Sequence, residues 1–280
     1  MKKQLIAAAV ASLVAAPAAF ADVKISGQIN SEWYKTDGGD LSQDLNSDIV
    51  FSGSEDLGNG LSAFFTIASV QDAGSAFNAG GKVFTGLKGS FGKVSIGKME
   101  LLVESKVNSM ASNDASDYLS NEVTSAVGAT ANSTIVYTSP AMNGITVGLG
   151  ARAESVGDDL DKTEIMVEYK AGGLLLRAAS ADDNGTDTTA MGVKFSMGSW
   201  TVGAVTVDEN NVDESWVGAS YKMGNNTFAL STRNSDTAAN EDTIVSMKHS
   251  LSKRTSVYAV FKDDGGASSD VTLVGMKHTF

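Results

Sequence analysis

Val23-Lys-Ile-Ser-Gly-Gln-Ile-Asn-Ser-Glu-Trp-Tyr34 decides how this chain folds. Val23, Ile25, Gly27, Ile29 and Trp33 fall on one side, and Lys24, Ser26, Gln28, Asn30 and Glu32 on the other. Successive strand side chains point to opposite faces, so the stretch is a ribbon with one apolar and one polar face. Asp37-Gly-Gly-Asp40 breaks it. The next ribbon runs from about Leu45 to Ser54, with Ile49 and Phe51 opposite Asp48, Val50 and Ser52. Glu55-Asp-Leu-Gly-Asn-Gly60 turns the chain, and Leu61, Ala63, Phe65 and Ile67 carry the apolar face onward.

The same pattern repeats to the C-terminus. Lys82 to Ser90 and Lys93 to Met99 flank Phe91-Gly92, and Ser133 to Ser139 and Ile145 to Arg152 flank Pro140-Ala-Met-Asn-Gly144. Six further runs are separated by Gly172-Gly173, Gly198-Ser199 and Gly224-Asn-Asn226 or by acidic stretches. Thr243 to Leu251, Ser256 to Lys262 and Val271 to Phe280 close the chain. This makes about sixteen strands, an even number in the range of bacterial single-chain barrels. The connections alternate between two classes. One is short and built from Gly, Asn and Ser. The other is longer and acidic, as in Asp158-Asp-Leu-Asp161, Asp182-Asp-Asn-Gly-Thr-Asp187 and Asp208 to Glu214. A transmembrane barrel has short turns on one side and longer loops on the other, whereas a soluble sandwich has no reason to sort loops by parity. Closure also removes the free edges that so wide a sheet would expose. The predicted fold is all-β, a closed antiparallel transmembrane barrel.

Glu100 to Asn132 does not alternate. A structureless stretch of about thirty residues within a compact domain is uncommon unless it is functional. It carries Glu100, Glu104, Asp114, Asp117 and Glu122 against Lys106. We read it as a segment folded into the barrel, its small residues Ala111, Ser112, Ala126 and Gly128 suited to packing on the wall.

Residues 1–21 read as a leader. Lys2 and Lys3 start it, Leu5 to Val14 is apolar, and Ala19-Phe20-Ala21 is a cleavage pattern. Residues 22–280 are then the barrel. The whole chain carries 21 basic and 33 acidic residues, for a net charge of −12. That balance argues against a nucleic-acid partner, which calls for a basic face. The chain has no cysteine, which excludes thiol catalysis and cysteine metal sites.

Several stretches resemble the trimeric general porins of Gram-negative outer membranes. Phe51-Ser-Gly-Ser-Glu-Asp-Leu-Gly-Asn-Gly-Leu61 is similar to that family's second-strand turn. Gly86-Leu-Lys-Gly-Ser-Phe-Gly92 running into Val94-Ser-Ile-Gly-Lys98, then Tyr137-Thr-Ser-Pro140, then Leu251-Ser-Lys-Arg-Thr-Ser-Val-Tyr258 resemble later strands in the same order. The chain ends on Phe280, the aromatic last residue such barrels use as an assembly signal. The resemblance implies sixteen strands, a homotrimer in the outer membrane, contact with lipid and lipopolysaccharide, and passive diffusion of small hydrophilic solutes and ions. It also implies that Glu100 to Asn132 narrows the pore opposite a basic wall. This chain departs from that pattern: Asp48, Ser52 and Ser62 stand where the family usually places bases. Strand parity leaves Lys82 and Lys88 as the nearest inward cations, with Arg152, Arg177, Lys194, Lys222, Lys248 and Lys277 elsewhere on the polar face. The expected pore is therefore cation-preferring.

The same residues bear on other functions. A barrel hydrolase needs a nucleophile with a base in reach. The only histidines, His249 and His278, fall by parity on the lipid-facing side. A channel selective for sugars would show a lumenal aromatic ladder, where Phe64 and Phe84 are two inward aromatics. A phosphate channel would concentrate Arg and Lys at the constriction. No cofactor is expected apart from calcium at Asp182 to Asp187, where oxygen ligands are close together as hard cations require. The stretch lacks the spaced Glu of an EF-hand, and a solvated acidic rim, or divalent bridging to lipopolysaccharide, is the favoured reading of those residues.

Overall fold

The computed structural model describes residues 22–72, 81–111, 130–153, 160–236, 241–265 and 270–280. The expected leader lies outside them. The first eight strands are β1 (Asp22–Thr36), β2 (Leu41–Gly58), β3 (Leu61–Asp72), β4 (Val83–Gly89), β5 (Gly92–Met99), β6 (Ala131–Thr138), β7 (Ile145–Arg152) and β8 (Lys162–Ala171). The second eight are β9 (Leu174–Asp183), β10 (Thr186–Met197), β11 (Trp200–Glu209), β12 (Val212–Met223), β13 (Asn226–Ser235), β14 (Asp242–Ser250), β15 (Thr255–Asp264) and β16 (Val271–Thr279). Each pairs antiparallel with its sequence neighbours, and β1 pairs with β16, so the sheet closes on itself. At the seam the Gly27 N–H donates to the Phe280 carbonyl at 3.1 Å, and the Phe280 N–H donates back at 3.0 Å.

The two faces are inverted relative to a water-soluble protein. Ile25, Met197, Trp200, Val217 and Leu230 are each more than half exposed on the outside. A soluble monomer rarely shows a contiguous apolar surface of this extent. A transmembrane barrel requires one, because alternate residues meet lipid. Inward positions carry Gln28, Asn30, Glu32, Asp48 and Ser52, as the alternation at Val23 to Tyr34 predicts. Backbone satisfaction is complete within such a closed ladder, which is what allows strands to cross hydrocarbon.

Two acidic connections expected to be long loops are two-residue turns. β9 and β10 are joined by Asn184 and Gly185, with φ of 50° and 87°, and β11 and β12 by Asn210 and Asn211, with φ of 53° and 64°. Positive φ at both central residues gives the turn whose twist matches the flanking strands, and Asn and Gly adopt it at least cost. The strands therefore run on through the acidic residues. Asp182 and Asp187 face each other across the ladder on the outside, and Asp183 points inward to Lys162 at 3.4 Å. The residues offered as a calcium loop thus divide between two faces. Among the described residues no three carboxylate or imidazole groups gather as a metal set.

Inward aromatics lean on glycines of the neighbouring strand. A Cβ on Gly275 would lie 2.5 Å from the Tyr258 ring. The buried Tyr258 hydroxyl donates to Asn30 and, at 2.6 Å, to Glu32. Gly275→Val should displace that ring. Overpacking and a lost hydrogen bond to a charged acceptor together cost about 2–4 kcal/mol. The temperature at which the folded band converts to the unfolded band on a gel should fall, with Gly275→Ala intermediate.

Candidate functional site

The site is the lumen, and its shape is set by the chain that follows β5. The β5–β6 register slips between Gly97 and Met99, and Gly97 has a φ of 143°. Such a bulge re-aims the backbone, and here the chain turns inward. A π turn at Val103–Val107 and a 3₁₀ turn at Asn108–Ala111 follow. Leu101, Leu102, Val103, Val107 and Met110 are all buried. Leu101 lies against Gly150 of β7, and the other four pack on inward side chains farther round the wall: Met166 of β8, Ala179 of β9, Ala190 of β10, Val205 of β11 and Trp216 of β12. The segment leaves from β5 and reaches β12, while the chain resumes its ladder at β6.

Sequence reasoning expected small loop residues against the wall. In the described part the arrangement is the reverse. The segment offers Leu, Val and Met, and the wall offers glycine. A Cβ on Gly148 would lie 2.8 Å from Leu102 Cδ1, one on Gly150 2.8 Å from Leu101 Cδ2, and one on Gly192 2.7 Å from Met110 Sδ. Inward glycines let the segment approach the wall backbone closely. Ser112, Ala126 and Gly128 lie outside the described residues.

Polar contacts hold the segment at both ends. No side chain of the segment caps the first turn. Glu164 of β8 does so instead: its Oε2 accepts from the Leu102 N–H, and from the Val103 N–H at 3.3 Å. The first N–H groups of a helix have no partner of their own. Farther along, Arg177 of β9 donates from Nη1 to the Lys106 carbonyl at 2.6 Å and from Nε to Glu168 at 2.7 Å. Glu164→Ala should release the first turn. In a Leu102→Cys background, thiol labelling should speed up about tenfold, equivalent to roughly 1.4 kcal/mol. Equal labelling rates in both backgrounds would show that the apolar packing holds the turn alone.

Among the expected loop acids, Glu100 pairs with Lys82 at 2.8 Å. Glu104 accepts from Asn108 at 2.8 Å. Asp114, Asp117 and Glu122 lie outside the described residues. Among the expected wall residues, Asp48 faces inward and accepts from Gln28 at 2.8 Å. Ser52 faces inward between Lys24 and Thr66. Lys88 faces inward beside Ser62 and Lys93. Arg152 is buried on the inner wall and donates to Thr134 Oγ1 at 3.4 Å. Lys82, Glu100, Lys106, Glu168 and Arg177 border one space between segment and wall, and Asp48, Ser52 and Arg152 stand apart from it.

That space holds a further cation, Lys93, beyond the inward Lys82 and Lys88 expected from parity. Lys93 lies over the Phe64 ring at 4.6 Å and near the Phe84 ring at 6.0 Å, the two rings meeting edge to face at 6.4 Å. The outward Val94 and Ile96 fix its inward parity, a signal present in the sequence. Glu164 is equally inward by parity, but nothing local marks it as the cap of a segment sixty residues earlier. Both histidines face outward, where His249 meets Asn226 at 2.7 Å and His278 meets Thr255 at 2.9 Å. Neither can act as a base in the lumen.

A model of the Gram-negative porin family matches residues 7–266. The chain is 36% identical over 135 residues to major outer membrane protein P.IB of Neisseria meningitidis serogroup A, covering 42% of this chain and 40% of that protein. It is 41% identical over 116 residues to the protein of the same name from Neisseria gonorrhoeae, covering 35% and 32%. The matched stretch thus spans less than half the length of these relatives. Among solved structures, the anion-selective porin from Comamonas acidovorans superposes with a TM-score of 0.76 at 21% identity, over 93% of this chain and 100% of that one. The Salmonella typhi OmpF complex with daunomycin gives 0.78 at 16%, over 92% and 97%. The trimer form of OmpT from Vibrio cholerae gives 0.65 at 14%, over 93% and 99%. The family consists of outer-membrane channel proteins rather than enzymes, and the apolar belt agrees with a place in the membrane. A sixteen-stranded closed barrel, an inward segment after β5 and a family match over most of the sequence lead to one assignment: this chain belongs to the Gram-negative porin family.

Proposed function

We propose that the protein forms a water-filled channel for passive diffusion of ions and small hydrophilic solutes, preferring cations. The observation that carries the channel reading is the closed barrel with an apolar outside and a polar inside, which leaves an aqueous path through hydrocarbon. The inner segment would set the bore, because it occupies lumen that the strands leave open. Purified protein added to a planar bilayer should give stepwise current increases. A detergent-folded barrel that inserts without conductance would overturn the channel reading.

The cation preference is supported by the net charge of −12 and by acids at the end with the longer connections, the long-loop end, with Asp48 where a base is usual in this family. The channel is proposed to work as a homotrimer embedded in lipid and lipopolysaccharide. The trimer form of a structurally similar porin supports this. So does the outward polar pair Gln43 and Ser31, bonded at 3.4 Å on β1 and β2, which suits protein contact better than acyl chains. Cross-linking in mild detergent should give a ladder ending at three chains.

A further inference from the structure

The inward charges are sorted along the barrel axis. Lys88, Lys93, Lys194, Lys222, Lys248 and Lys277 all point into the lumen near the short-turn end, which holds the Gly198-Ser199 and Gly224-Asn225 turns. Lys88 and Lys93 are register partners across the β4–β5 turn. Lys222 pairs with Thr227 and Thr227 with Lys248, so both lysines share one row. Among the described side chains, the inward acids at that end are Asp56, folded back on the Gly58 N–H at 2.9 Å, and Glu168, paired with Arg177. The opposite end reverses the sign. Asp44, Asp183, Glu209, Glu214, Asp242 and Asp264 face inward there by register. Four inward bases offset part of this charge. Lys162 meets Asp183 at 3.4 Å, Arg233 meets Asp242 at 2.7 Å, Lys262 bridges Asp242 and Asp264 at 3.4 and 3.8 Å, and Arg152 lies beside Lys162. Beyond them the turn at Asp37 and Asp40 adds acids.

We infer that this axial sorting makes the channel rectify, passing more current when the long-loop end is positive. The inference rests on the channel reading above. A lumen lined by fixed acids holds mobile cations, and one lined by fixed lysines holds mobile anions. With the long-loop end positive, cations enter through the acidic half and anions enter through the basic half. Both accumulate where the halves meet, and conductance rises. With the sign reversed, each ion must enter through the half that repels it, and the junction is depleted. Added salt weakens both halves, since the Debye length shortens from about 10 Å at 0.1 M to about 3 Å at 1 M.

The test is single-channel current in symmetric potassium chloride at equal positive and negative voltage. Orientation is fixed with Asn225→Cys, introduced into a cysteine-free chain. A maleimide polymer too large to pass the pore alters the current only from the short-turn side. At 0.1 M the current with the long-loop side positive should exceed the reverse by about 1.5-fold or more, and at 1 M the ratio should approach one. Lys194→Gln, Lys222→Gln and Lys248→Gln combined should bring the 0.1 M ratio close to one. Equal currents at 0.1 M, or the opposite sense, would overturn the inference while leaving the channel reading intact. Absence of any conductance would overturn the channel reading itself.

Discussion

Deleting about ten residues from within 112–129 is expected to raise single-channel conductance about twofold, since the resistance of a water-filled pore falls as its narrowest cross-section grows. The described chain enters the lumen at Glu100, runs along the inner wall from β8 to β12 and resumes its strand ladder at β6. Residues 112–129 must connect the end of that run to β6. Shortening this connection leaves the caps from Glu164 and Arg177 untouched, because both act before residue 108. The variant should keep wild-type gel heat-modification, so that a change in conductance cannot be ascribed to a damaged barrel. Unchanged conductance in a folded variant would place the connection outside the pore. A deletion of the six residues 154–159 in the β7–β8 connection serves as the control and should leave conductance as it was.

A reversal potential of cation sign is the second expected result. In a tenfold potassium chloride gradient, with the dilute solution at the long-loop end, it should reach roughly 20 to 40 mV, out of about 59 mV for a perfectly selective one-electron-charge system. That corresponds to a cation preference of about 3- to 10-fold. The dilute side matters because fixed charge acts over a longer distance there. Lys82 and Glu100 neutralise each other locally, as do Arg177 and Glu168. Lys93 and Lys106 are not ion-paired among the described residues, so the wall between the segment and β3 to β9 is not itself acidic. The preference must come from Asp48, Asp114, Asp117 and Glu122, with the acidic long-loop end. Asp48→Asn, Asp114→Asn and Asp117→Asn should each reduce the potential. If all three leave it unmoved while cations still win, the outer rim alone selects. A chloride sign would mean that Lys93 and Lys106 dominate the field, and Lys93→Gln should then restore cation preference.

Alternation and turn chemistry are local properties, and from them the sequence by itself determined the strand faces and the strand number. A period of two in Val23 to Tyr34 settles which side chains meet lipid, because neighbouring residues of a strand cannot share a face. Short Gly and Asn turns separate strands without reference to anything distant, so strand number and the even count were legible, and with them the closed barrel. The lysines placed a few residues before Gly198 and Gly224 were equally visible. What they do together was not. It takes closure and the register of every pair to bring Lys222 and Lys248 to one level and Asp242 and Asp264 to the other. The acidic composition of Asp182 to Asp187 suggested a loop, yet pairing with the facing strand keeps it extended, since the ladder stabilises any residue whose backbone can join it. The deepest gap lies between Glu164 and Leu102, or Gly150 and Leu101. The first pair is 62 residues apart in sequence and the second about fifty, and they meet only because a bulge at Gly97 sends the chain across the lumen. No local pattern encodes that a glycine on one strand is the seat of a leucine from an earlier loop. Tertiary structure decides it, through the close approach that only a missing Cβ permits.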